Sequence, residues 1–212
     1  MYRHGAYVSV TSVLTTVIFG GDIIVMNHFW PQDVVGAFSI YNGFPKRLLG
    51  ILFTEGIGLV LLPTLATLDK PLLLRRIGRV APLVGLAAAL ASFAGSVLLL
   101  ALLRDGYPYS LPLMALASLG IGVHTVFNLY FFALSMGGVR GARVVIACVA
   151  ASIPVALAAQ VLLIRWSGLA GGLLAFVVTN AVLVTVVVVA SARSYQAQAP
   201  RGAGAPDHVD AR

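Results

Sequence analysis

The sequence predicts an all-α membrane protein, a bundle of about six transmembrane helices, and three observations carry that expectation. Hydrophobic residues make up 59% of the 212-residue chain against 10% charged, with a mean hydropathy of +0.97. A soluble domain averages about 25% charged residues, so this chain has too little charge for a hydrated surface. Apolar runs near the roughly 20 residues that cross a hydrocarbon core recur along it. Most lysines and arginines fall between those runs, as in loops that face an anionic leaflet.

Breaks at charge, glycine and proline place the helices near 6–28, 34–64, 79–103, 111–136, 143–164 and 168–191, within a bundle of residues 1–192. The first run is interrupted by Asp22, is followed by no A-x-A-like cleavage site and precedes further spans, so it reads as a retained helix rather than a signal peptide. In the second, Pro45 cannot donate to the carbonyl of Tyr41, and Gly43, Gly50, Gly56 and Gly58 thin the helix around it; a kink or partial unwinding is expected between Gly43 and Lys46. The third and sixth runs carry the small-residue stretches AAALASFAGS and GLAGGLLA, which allow close helix packing. The fifth holds the single cysteine, Cys148, which excludes an internal disulfide framework and any CxxC-type metal site. Residues 193–212 turn to Gln, Pro, Gly, Asp and Arg and are expected to form a disordered cytoplasmic tail.

Orientation follows from the basic residues. One set of connections carries Arg3, then Lys70, Arg75, Arg76 and Arg79, then Arg140 and Arg143, then Arg193, Arg201 and Arg212; the opposite set carries only Arg104 and Arg165. This asymmetry predicts a multi-pass protein of the inner (cytoplasmic) membrane with both termini in the cytoplasm. The loops 29–33, 104–110 and 165–167 then face outward, with Trp30, Tyr107, Tyr109 and Trp166 in or beside them at headgroup level. The net charge of +7 does not point to nucleic acid, because the basic residues are not gathered on a soluble face with interleaved aromatics.

Charge at membrane depth is the functional signal, since an ionised group at a helix centre costs about 2.5–3.5 kcal/mol on insertion scales. Asp22 lies late in the first span, and Lys46, Arg47 and Glu55 follow in the second; opposite signs on adjacent helices can neutralise each other. Residues three, four or seven apart share a helix face, which puts Ser39, Asn42 and Lys46 on one stripe and Arg47, Thr54 and Glu55 on another. Broken helices at mid-depth line a cavity or are buried in protein. Two plainer readings stand beside this one: Lys46 and Arg47 mark a loop after a short interfacial helix, and Asp22 and Glu55 only hydrogen-bond between helices. In the fourth span Gly120, His124 and Asn128 share a face beside Thr125; they either line the same cavity or bond across helices, and Asn180 with Thr179 is a weaker signal of the same kind. His4, His28, His124 and His208 lack metal-ligand spacing, and no G-x-S-x-G, P-loop or H-E-x-x-H element occurs, so neither an enzyme nor a cofactor is expected.

The segment GGDIIVMNHFWPQDVVGAFSIYNGFPKRLLGILFTEGIGLVLLPTLATL, residues 21–68, resembles the polysaccharide flippase branch of the multidrug, oligosaccharidyl-lipid and polysaccharide exporter superfamily. The matching features are Asp22 late in one span, a short outer loop, Gly36 with Phe38 and Ser39 opening the next, the mid-span basic pair, and Leu62 with Pro63 at its end. Residues 135–180 are similar to the closing helix pair, whose outer loop ends in G-x-x-G, here Gly168 to Gly171. The resemblance implies flipping or export of a lipid-linked oligosaccharide by alternating access between two helix bundles. Lys46 and Arg47 would supply positive charge for a diphosphate, Asn42, His124 and Asn128 would line the cavity, and Asp22 and Glu55 would balance charge or couple to an ion. Such transporters have about twelve or more helices in two halves, and this chain matches the second half. Either Met1 begins a fragment, or the bundle pairs with a second polypeptide or with itself. The partners expected are therefore the bilayer, a lipid-linked saccharide and an opposing bundle. Competing readings are an exporter of small cationic drugs, with an acidic cavity near Asp22 and Glu55, and a non-transporting scaffold or inactive remnant.

Overall fold

The computed structural model describes residues 2–51, 70–102 and 109–196. Glu55, Thr54, Gly56, Gly58, Leu62, Pro63, Arg104, Tyr107, Arg201, His208 and Arg212 lie outside the described residues, as do the side chains of Arg3, His4 and Lys70. The described chain is almost wholly helical and contains no strand. Its elements are α1 (Tyr2–Phe29), α2 (Gln32–Phe38), a π-helical turn (Ser39–Gly43), α3 (Phe44–Ile51), α4 (Lys70–Leu102), α5 (Leu111–Ser135) and α6 (Gly138–Gln196). Four stretches among them are long and apolar enough to cross a membrane: Gly5–Phe29, Leu72–Leu102, Leu111–Ser135 and Gly138–Ser194. This is an all-α, multi-pass membrane protein.

Several boundaries differ from the sequence reading for local reasons. α4 begins at Lys70, nine residues before the expected start at 79, so Arg75, Arg76 and Arg79 ride on helix rather than in a loop. Arginine is a good helix former, and no glycine precedes Gly78 in this stretch to stop the helix. At the other end α6 continues to Gln196, beyond the expected tail boundary at 193, where the Arg140 guanidinium donates to the carbonyl of Ser194 at 3.1 Å.

The loop expected at 165–167 is a point break instead. Helix 138–196 is continuous except at Gly168, where φ is 53° and ψ is −125°. Only glycine adopts that conformation without strain. The two arms run back along each other, since Arg140 meets Ser194 and the Cys148 thiol lies 3.9 Å from the carbonyl of Val186, pairs placed evenly about the break. Trp30 closes this turn: its indole Nε1 donates to the carbonyl of Ile164 at 2.8 Å, and a Cβ at position 168 would sit 3.1 Å from its ring. Gly168→Ala is therefore expected to cost about 1–3 kcal/mol in strain, and Trp30→Phe about 1 kcal/mol for one hydrogen bond. Thermal unfolding in detergent measures both, and a larger loss for Trp30→Phe than for Gly168→Ala would contradict this account.

α1 packs on the first arm of α6, α5 on the second arm and on α4, and α2 caps the Trp30 end of the bundle. The apolar interior divides into two layers. One gathers Ile18, Ala81, Phe127, Tyr130, Leu134, Val145, Cys148 and Leu183. The other, toward Trp30, gathers Met26, Val35, Phe38, Tyr41, Leu100, Met114, Ile164 and Leu173. The Asp22–Lys46 ion pair falls between them.

Candidate functional site

Asp22 stands on α1 between Ile18 of one layer and Met26 of the other, and only 2% of it is exposed. A carboxylate so buried requires partners. Its Oδ2 accepts from the Asn42 amide at 2.9 Å and from the Lys46 ammonium at 3.1 Å, while Oδ1 accepts from the backbone N–H of Ile23 at 2.8 Å. The expected stripe of Ser39, Asn42 and Lys46 is thus partly realised: Asn42 and Lys46 converge on one oxygen, and Ser39 returns its hydroxyl to the carbonyl of Val35 at 2.9 Å.

The backbone that delivers these groups is a widened helix. No break occurs between Gly43 and Lys46; the five residues Ser39–Gly43 form a π turn, and α-helix resumes at Phe44 with Pro45 in its first turn. Proline lacks the N–H that would bond back to Tyr41, and a π turn immediately before it changes the carbonyl pattern without ending the helix. Lys46 and Arg47 accordingly lie in a helical course from Gln32 to Ile51, and the loop reading of this pair does not hold. They do not act as a pair, however. Lys46 turns inward with 19% of its side chain exposed, whereas Arg47 is exposed and has no hydrogen-bond or ion-pair partner among the described residues.

A second polar group adjoins the first across an aromatic ring. The Lys46 ammonium lies 4.1 Å from the centroid of the Phe176 ring, within cation–π range. The same ring lies 5.7 Å from that of His124, which Phe19 meets edge-on at 4.8 Å. His124 Nδ1 pairs with Asn180 Oδ1 at 2.8 Å, and Asn180 in turn donates to the carbonyl of Phe176 at 2.8 Å. For Nδ1 to bond a carbonyl oxygen it must carry the proton, which sets the tautomer. Close helix approach permits this: a Cβ on Gly120 would lie 2.5 Å from the Phe176 ring. Phe19 and Phe176 thus complete a site whose polar members, Asn180 as the weaker signal among them, are named from sequence. The signal for Asn180 was only its polarity inside an apolar run.

Asn128 shares the helix face of His124 but is half-buried and makes no hydrogen bond among the described residues. Glu55 cannot be related to Asp22, since it lies outside them. Buried atoms left without partners include Asn42 Oδ1 and the Thr179 hydroxyl beside this cluster, and Gln160 Oε1 near Gly21, where the Gln160 amide donates to the carbonyl of Ile18 at 2.6 Å. Among the described residues no group of three or more His, Cys, Asp or Glu gathers to hold a metal ion. The arrangement can bind or release charge at mid-height in the bundle. A buried ion pair whose lysine side chain is 19% exposed, beside an exposed guanidinium, is suited to a polar or anionic group that arrives from outside the bundle. No family model, curated protein or solved structure matches this chain.

Proposed function

We propose that the chain is a membrane transporter that flips or exports a lipid-linked oligosaccharide or polysaccharide precursor across the inner membrane, working as one bundle against a second. The observation that carries this reading is the Asp22–Lys46 pair held between two apolar layers, with Arg47 exposed one residue on. In this reading the two arms of α6, helices α1, α4 and α5, and the course that starts with α2–α3 make six spans. Exposed Arg75, Arg76, Arg79, Arg140, Arg143 and Arg193 all belong to the end of the bundle opposite Trp30, which supports a cytoplasmic location for both termini.

Neutralisation of Lys46 by Asp22 refines the roles that the sequence suggests. Arg47 makes the first contact with a diphosphate, because its charge is already available. Lys46 adds a second charge when Asp22 is discharged by a coupling ion, and Asn42 then follows whichever group remains charged. The drug-exporter reading is less well supported, since both oxygens of Asp22 are already occupied by Lys46, Asn42 and Ile23. Arg47→Ala is expected to reduce surface polysaccharide export by about tenfold or more, the loss of one charge-assisted contact, with Arg47→Lys retaining part of it. Normal export by Arg47→Ala at unchanged protein level would remove the flippase reading.

A further inference from the structure

The arginines at the end of the bundle opposite Trp30 have no acidic neighbour among the described residues. The carboxylates described are those of Asp22, paired with Lys46 at mid-height, and Asp33, in the first turn of α2 beside Trp30. Two of the exposed arginines at the far end are nevertheless held in place, both by uncharged acceptors. Arg140 donates to the carbonyl of Ser194 on the second arm of α6. Arg143, three residues further along the first arm, turns to α1: its Nε donates to the Tyr7 hydroxyl at 3.0 Å, and its guanidinium carbon lies 5.5 Å from the centroid of the Tyr7 ring.

A phenol orients a guanidinium without neutralising it. An exposed arginine ordinarily loses rotamer freedom when it binds a ligand, and at Arg143 the contact with Tyr7 has already removed part of that freedom. The Nη groups of Arg143 have no hydrogen-bond or ion-pair partner among the described residues, and with Nε engaged they leave a planar fork that matches two oxygens of a phosphate. The Tyr7 hydroxyl accepts from Nε and keeps its own proton to donate. Above this pair the outward surface is apolar: Val10 and Val13 on α1 are exposed, as are Ala147 and Ala150, four and seven residues beyond Arg143 on α6. The fork thus stands where lipid tails give way to headgroups. An acidic protein segment would match the charge and leave that apolar surface uncovered, whereas a phospholipid matches both.

We infer that Arg143 and Tyr7, at the seam between α1 and the first arm of α6, bind the phosphate of an anionic glycerophospholipid, with the acyl chains lying along the apolar surface above them. Arg140 adds to the positive field at this seam, which favours a headgroup with net negative charge over one whose own ammonium cancels the phosphate. The site is independent of the transporter reading, because a resident lipid is measured without export.

The test uses the full chain purified in a neutral detergent, with phosphatidylglycerol or phosphatidylcholine of the same acyl chains added and the bound lipid read by native mass spectrometry. Phosphatidylglycerol is expected to bind about tenfold or more tightly than phosphatidylcholine, the worth of one charge-assisted contact. Arg143→Gln is expected to abolish that preference. Tyr7→Phe keeps the ring and the arginine's charge, removes only the hydroxyl that holds Nε, and is expected to weaken phosphatidylglycerol about threefold; it decides the matter if Arg143→Gln does not fold. Arg76→Gln removes the same charge from an exposed arginine on α4 and is expected to change the affinity by less than about twofold. Equal binding of the two lipids overturns the inference, as does an unchanged preference in Tyr7→Phe. An effect of Arg76→Gln as large as that of Arg143→Gln overturns it too, since binding would then be attraction to the whole basic end. Displacement of the lipid by inorganic phosphate at the same concentration would assign the fork to a soluble anion and equally overturn it.

Discussion

Lys46→Met is expected to destabilise the protein by about 3–5 kcal/mol, the cost of leaving one member of a buried ion pair without the other. The deserted group would be Asp22, which is 2% exposed and retains only the Asn42 amide and the Ile23 N–H. Asp22→Leu is expected to cost less. It leaves Lys46, which has 19% of its side chain exposed and a flexible stem that can carry the ammonium toward water. The double change Asp22→Leu with Lys46→Met removes both charges and is expected to recover most of the loss, because replacing a whole buried pair by apolar groups is often neutral. Thermal unfolding in detergent gives the three values, and their non-additivity is the coupling energy. If the double variant is as unstable as Lys46→Met, the pair is not the unit described. If it is stable and also exports normally, Lys46 and Asp22 serve packing alone.

That convergence was legible in the sequence because it depends on short-range geometry. Asn42 and Lys46 are four residues apart, and Asp22 precedes them on the adjacent run, separated only by the turn around Pro31. Lipid as solvent was legible as well, since it follows from composition. The His124–Asn180 bond spans 56 positions, and nothing in either residue's local pattern names the other. Helix packing decides it, through the close approach of Gly120 to Phe176.

The π turn and the break at Gly168 were misread for a related reason. Proline signals that a helical hydrogen bond is missing, and a kink is the usual response, but widening the preceding turn is an alternative that preserves the helix. At Gly168 a single positive φ reverses the chain where three loop residues were expected. Sequence shows that a glycine is present; whether one residue suffices depends on Trp30 lying across it. The division of labour between Lys46 and Arg47 had its basis in helical spacing, but the ammonium's partner became definite only once α1 and α3 were placed together.

The largest packing effect is expected where α4 crosses α5. A Cβ on Gly122 would lie 2.6 Å from the carbonyl oxygen of Gly85 and 2.9 Å from the Cβ of Ala89. These are backbone and near-backbone atoms, so no side chain can rotate away and the helices themselves must part. Lipid offers no hydrophobic gain for reassociation, and helix contact in a membrane rests on such close approach. Gly122→Val is expected to cost about 3 kcal/mol, the upper end of ordinary overpacking. Gly20→Ala supplies the contrast: its Cβ meets nothing within 4 Å, and the gain in helix propensity is about 1 kcal/mol. Because His124 follows Gly122 by two residues, displacement of α5 also draws the imidazole from Asn180 and loosens the aromatic contacts that adjoin Lys46. Gly122→Val should therefore impair export beyond its effect on protein amount. Equal unfolding temperatures for Gly122→Val and Gly20→Ala would show that α4 and α5 do not meet at this crossing, and the position of His124 would then need another support.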